Sequence, residues 1–155
     1  MIRKLIDQVV GALTATKSAA AGDDDHEAAL RMATAVLMLE VARADHVFDE
    51  SEFERVLRLM EVHFKLTSEE AAELVNLADA RAEELVSVHD FTQLLHDHLD
   101  ENDKTQIVAL LWQIAYADGR LDKYEDSLVL KISDLLYVSR GRVMRLKHDA
   151  ELAAR

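Results

Sequence analysis

The chain has 155 residues, half of them hydrophobic, with no proline, no cysteine and 4 glycines, and its 30 acidic and 18 basic residues give a formal net charge of −12. That length and apolar content suit one compact domain with a real core. The charge disfavours nucleic acid and anionic membranes as partners, and the absence of cysteine excludes disulfides and thiolate metal sites. Abundant Leu, Ala, Glu, Met and Arg, with only 5% aromatics, predict an all-α fold. A chain without cysteine fits a reducing cytosol, so a cytoplasmic location is expected.

The first predicted element is a short amphipathic helix with Leu5, Ile6, Val9, Val10 and Leu13 as its apolar residues. Asp7 and Gln8 interrupt the apolar run, which is too short to span a membrane. Packing on the core or on a partner is the expected use of this helix, ahead of a membrane-surface role. A Thr-, Ser-, Ala- and Gly-rich stretch follows, so residues 1–22 read as helix plus linker and 23–155 as the helical domain.

Asp24 and Glu27 have capping-box spacing and predict a helix over about 25–45. Its apolar stripe is Leu30, Ala33, Leu37, Val41 and Ala44, and Val36, Met38 and Leu39 widen that stripe enough for a largely buried helix. A helix over about 50–64 carries Phe53, Val56, Leu57, Met60 and Phe64 at helical spacing. Thr67 and Glu70 form a second capping box, opening a helix to about 83. A short helix containing Phe91, Leu94, Leu95 and Leu99 follows Ser87. Asp103 and Gln106 have the spacing to cap a helix over about 104–118. The last two helices are expected over about 123–137 and, capped by Ser139, about 140–153. Trp112 lies on an apolar stripe and reads as core. The basic run Arg140, Arg142, Arg145 and Lys147 is expected to pair with acids of its own chain.

The chain repeats itself. At an offset of 73, Asp45, Asp49 and Glu52 fall on Asp118, Asp122 and Glu125, and Val41, Ala42, Ala44 and Val56 fall on Ile114, Ala115, Ala117 and Val129. One residue is lost after Phe64 and Tyr137, where Thr67 meets Ser139 as the next cap. Two copies are too few for a solenoid. They predict two helical units about a pseudo-two-fold axis, each burying the other's apolar face.

The repeated acidic turn supports two readings. In one, Asp49, Glu52, Asp122 and Glu125 only start helices, as capping boxes with Asp in the Ser/Thr place. In the other, Asp45, Asp49, Glu52, Asp118, Asp122 and Glu125 meet across the axis. Six carboxylates in one region would then raise their pKa values or hold a cation, and all-oxygen ligands suit Ca²⁺ or Mg²⁺. Asp45 and Asp118 favour the second reading. Each would end a helix, where the dipole disfavours a carboxylate. The spacing is not that of an EF-hand.

The segment Ile114-Ala-Tyr-Ala-Asp-Gly-Arg-Leu-Asp-Lys-Tyr-Glu125 resembles the A-x-A-D-G-x-[IL]-x-x-x-E signature of the TerB-like (tellurite resistance protein TerB) family, and Ala42 to Glu52 is a second match with His46 in place of glycine. The resemblance covers about residues 28–150. It implies a helical bundle of about seven or eight helices in two pseudo-symmetric halves, with an acidic cluster linked to metal binding. It also implies a link to tellurite resistance, other chemical stresses and phage defence. The candidate metal ligands carried over are the six acids named above. Tellurite is itself an oxyanion, and charge opposes its direct capture by such a cluster.

No nucleophile elbow and no glycine-rich phosphate loop is present, and His89, His96 and His98 lack the spacing of a zinc motif and read as surface residues. The favoured function is therefore a non-catalytic stress-response or interaction domain, with protein partners that include a second copy of the chain. The alternatives are a carboxylate–metal hydrolase with two metals on the six acids, and an accessory subunit whose N-terminal helix docks on a membrane-associated complex.

Overall fold

The structure is a computed structural model, and it describes residues 22–44, 50–82, 88–117 and 121–154. The described residues form seven helices: α1 (Gly22–Ala42), α2 (Glu50–Phe64), α3 (Ser68–Ala82), α4 (Val88–His98), α5 (Glu101–Ala115), α6 (Lys123–Leu135) and α7 (Arg140–Ala154). No strand occurs among them. The N-terminal helix expected around Leu5 to Leu13 lies outside the described residues.

The fold is built around α1. Every residue from Ala33 to Leu39 is fully buried, on all sides of the helix. A helix that is apolar all round can only be stable inside a protein. Thr34, the one polar side chain in that run, donates its hydroxyl to the Leu30 carbonyl at 2.7 Å, so its burial leaves no donor unmet. Opposite α1 stands α5, which contributes Ile107, Val108, Leu111 and Trp112 to the same core.

The two halves, α1–α2–α3 and α5–α6–α7, follow the same plan, with α4 as the connector. Within each half the first helix packs on the third and on the second. Between halves α1 packs on α5, and the cross-contacts are reciprocal: α1 meets α6 and α5 meets α2. This is the pattern of a pseudo-two-fold axis. The helix ends repeat as well. The Arg43 and Ala44 amides donate to Leu39 and Val41, and at an offset of 73 those of Tyr116 and Ala117 donate to Trp112 and Ile114.

Three helix starts behave as their sequence predicts. Thr67 and Glu70 form a reciprocal capping box, with the Thr67 amide on Glu70 Oε1 at 3.0 Å and the Glu70 amide on Thr67 Oγ1 at 3.1 Å. Asp122 and Ser139 accept from amides of α6 and α7. Two starts differ. Helix α5 begins at Glu101 and its cap is Asp100, which accepts the Asp103 amide at 2.8 Å, so Asp103 is a first-turn residue rather than the cap. Helix α1 already runs from Gly22, which puts Asp24 inside its first turn. The two helices end at Ala42 and Ala115. Asp45 and Asp118, whose expected place at a helix end favoured the cation reading, lie outside the described residues.

The lost residue also lies elsewhere than expected. Lys65 (φ 56°) and Tyr137 (φ 61°) both adopt the left-handed conformation that ends a helix. The Leu66 amide reaches back to the Glu61 carbonyl, and the Val138 amide to that of Ser133, in the same six-to-one closure. These pairs are offset by 72, so the residue is lost before Tyr137, within the helix, and not after it.

Replacing Leu37 with alanine should cost about 2–5 kcal/mol by the usual cost of emptying a core site. Val62→Ser on an exposed face (Val62 is 74% exposed) should stay within about 0.5 kcal/mol. Urea unfolding followed by far-UV circular dichroism measures both.

Candidate functional site

The repeated acidic turn places its described residues at one end of the bundle. Asp122 has extended backbone (φ −75°, ψ 143°), and its Oδ2 accepts from the amides of Tyr124 at 2.8 Å and Glu125 at 3.3 Å. A carboxylate there satisfies two amides that no preceding turn can reach, and it faces the positive end of the helix dipole. Capping therefore accounts for Asp122, and it orients the first turn of α6, from which Glu125 projects. Glu125 is buried, 8% exposed.

Glu125 and its repeat partner Glu52 are brought together. They line one small cavity of about 10 Å³ with Ala42, Arg55, Ile114 and Ala117. The walls come from the ends of α1 and α5 and the beginnings of α2 and α6, so both halves contribute. Glu52 is half-buried and its Oε2 is shut off from solvent. The small side chains Ala42 and Ala117 leave room for two carboxylates where larger residues would fill the space. Asp45, Asp49 and Asp118 lie outside the described residues, as do His46 and Gly119. Among the described residues no group of three His, Cys, Asp or Glu is arranged to hold a metal ion.

Arg55 was not anticipated as part of this region. It stands one turn beyond Glu52 on α2 and borders the carboxylate cavity. With Arg58 and Leu59 it also lines a separate groove of about 360 Å³, whose other walls are Gln113, Tyr116 and Ala117 at the end of α5 and Ala150, Ala153 and Ala154 on α7. The available signal was the i, i+3 spacing of the two arginines, which puts them on one helix face.

Other polar groups are spoken for. Arg140 pairs with Asp134 at 3.0 Å, Arg142 with Glu101 at 3.3 Å and Lys147 with Asp126 at 2.8 Å, so the basic run largely serves its own chain. Lys147 Nζ also lies 5.3 Å from the centre of the Trp112 ring, which is fully buried as expected. Arg43 forms an ion pair with Asp79, joining the end of α1 to α3. His96 is not the surface residue its sequence suggested. It is half-buried, its Nδ1 accepts from the buried Lys104 ammonium at 2.6 Å, and the Tyr137 ring lies 4.3 Å away.

One further acid near the end of α1 is perturbed. Burial pushes the Glu40 carboxyl above its ordinary value of 4.5, and the nearby Arg43 offsets only part of that rise. Its repeat counterpart, 73 residues on, is the neutral Gln113.

A family model described as "Tellurite resistance protein TerB" matches residues 31–148, from the middle of α1 into α7. Searches of curated proteins and of solved structures returned no match.

Removing the cap by Asp122→Ala should destabilise the fold by about 1 kcal/mol, and Asp122→Asn, which keeps an acceptor, should lose less. Chemical denaturation of the two variants tests this. For Glu40 the sign follows from linkage: a carboxyl with a raised folded-state pKa contributes stability that is full below its unfolded value and lost as pH rises through the folded value. Glu40→Gln should therefore stabilise the protein at neutral pH, and the gain should vanish in acid below the ordinary carboxylate range. Melting temperatures of variant and wild type across that pH range measure the difference.

Proposed function

Starting from the chain's membership of the tellurite resistance protein TerB family, we propose that it is a non-catalytic interaction domain of the stress-response kind, with a divalent-cation site where its two acidic turns converge. The observation that supports this reading is the shared cavity. Glu52 and Glu125, 73 residues apart and equivalent by the repeat, face one small space. Two carboxylates at such a place offer hard oxygen donors of the kind Ca²⁺ and Mg²⁺ prefer. Ca²⁺ takes six to eight oxygens, so Glu52 and Glu125 would need the turn aspartates Asp45, Asp49 and Asp118, together with water, to complete a shell. Asp122 would act indirectly, by fixing the first turn of α6 through its two amide bonds. Arg55 borders the same cavity and would compete with a cation for its carboxylates, which favours modest affinity.

A bound cation would supply structural cross-linking of the two halves. The expected partners are proteins, including a second copy of the chain. No described helix is long and apolar enough to cross a membrane.

The test is a thermal titration with Ca²⁺, Mg²⁺, Mn²⁺ and Zn²⁺ on wild type, Glu52→Gln/Glu125→Gln and Asp45→Asn/Asp118→Asn. A site that binds only the folded state adds about 2.7 kcal/mol at a hundredfold excess over Kd, a rise of several degrees in Tm. The rise should appear in the wild type and be lost in both double variants. No metal-dependent shift at millimolar concentration sinks the cation site. Phosphoester turnover that disappears in the same variants would assign hydrolysis instead.

A further inference from the structure

The groove between α2, the end of α5 and α7 has a chemistry opposite to that of the molecule as a whole. The chain carries 30 acidic residues, yet neither Arg55 nor Arg58 has an ion-pair partner among the described residues. Both arginines line one concavity of about 360 Å³. That is within the range of small-molecule sites, roughly 300–1,000 Å³. The opposite wall is Ala150, Ala153 and Ala154, which offers a shallow apolar surface without a charge of its own.

The equivalent place in the other half is built differently. The repeat puts Tyr116 on Arg43 and, after the one-residue shift, Glu151 on Asp79. Arg43 and Asp79 join in an ion pair that ties α1 to α3. In the second half a tyrosine replaces the arginine, and an open groove lies beside it. Tyr116 is 8% exposed. Burial pushes its hydroxyl pKa further above 10, Lys147 opposes that shift, and Glu151 and Asp126 add to it. The phenol is thus a neutral donor throughout the physiological range.

We propose that this groove binds a small organic oxyanion, its phosphate- or carboxylate-type head held by Arg55 and Arg58 and its short apolar body lying against the alanines of α7. Guanidinium groups recognise such heads through paired, charge-assisted hydrogen bonds. Positions i and i+3 on a helix bring the two within reach of one head group. The alanine wall selects for a molecule with an apolar part over a bare inorganic ion. Arg55 also borders the carboxylate cavity, so an anion in the groove and a cation among the acidic turns would draw on the same side chain, whereas Arg58 belongs to the groove and does not line that cavity.

Isothermal titration with inorganic phosphate, phenyl phosphate and benzoate tests the assignment, using wild type, Arg58→Gln and Ala153→Leu. Arg58 and Ala153 are exposed, so these variants should keep the wild-type melting temperature. Phenyl phosphate should bind saturably and more tightly than inorganic phosphate. Arg58→Gln should weaken phenyl phosphate by about tenfold or more, as loss of a charge-assisted contact does. Ala153→Leu, which fills the groove without changing charge, should weaken phenyl phosphate but leave inorganic phosphate within about twofold. Benzoate in place of phenyl phosphate as the tighter ligand assigns a carboxylate head to the same site. Affinity for both organic anions that is unchanged in both variants, or no saturable binding by any probe, overturns the proposal. So does tighter binding of a fourth titrant, an acidic peptide, than of all three probes, which would make the groove a protein-docking surface.

Discussion

The contact of α1 with α5 is the constraint on which the rest of the molecule depends. Neither helix can exist in water by itself, because α1 is apolar all round from Ala33 to Leu39 and α5 presents Trp112, Leu111, Val108 and Ile107 to the same core. Each half therefore leaves its first helix incomplete until the other half covers it. The remaining helices are arranged around that pair, with α2 and α3 flanking α1 and α6 and α7 flanking α5. Because the crossing lies near the pseudo-two-fold axis, equivalent residues of the two halves meet there. The convergence of Glu52 and Glu125 follows from core packing and does not require a separate force to draw the carboxylates together.

Polar groups then adjust the ends of the helices to this core. Capping by Asp100, Asp122, Thr67 and Ser139 satisfies amides at four helix starts. The ion pairs of Arg140, Arg142 and Lys147 hold α7 to its neighbours at partly or fully exposed positions, where each contributes little. The distribution of charge matters more than its sum. A net charge of −12 describes the far field, while a ligand in a groove feels Arg55 and Arg58 at contact distance.

Much of this was legible in the residues. The all-α class, the duplication and the burial of α1 rest on periodicity over long segments, and α2 runs from Glu50 to Phe64 as its apolar spacing predicted. Capping was readable where a hydroxyl had a glutamate three residues on, as at Thr67 with Glu70. It misled where several acids were adjacent: in Asp100-Glu-Asn-Asp103 both aspartates have a partner three residues on, and only the backbone conformation decides for Asp100. A helical period also has no preferred origin, which is why α1 and α5 could be displaced without disturbing their stripes. Of the acids in the two repeated turns, Glu52 and Glu125 do share a cavity. Arg55 and Arg58 were hidden because an exposed arginine looks the same in sequence whether it faces solvent or a groove. The Lys104–His96 contact, across eight residues and a turn, has no periodic signature at all.

The residue missing from the second half has a geometric consequence. Helices α2 and α6 start in register, but α2 runs one residue further before its left-handed cap at Lys65 than α6 does before Tyr137. One residue of helix is a turn of about 100° and a rise of about 1.5 Å. The chain therefore leaves α6 one residue earlier than it leaves α2, and α3 and α7 correspond at an offset of 72 where the helices before them correspond at 73. A strict duplicate could only offer the same outer face twice; this chain presents one face tied by Arg43 and Asp79 and another, where Tyr116 stands in place of the arginine, that is open.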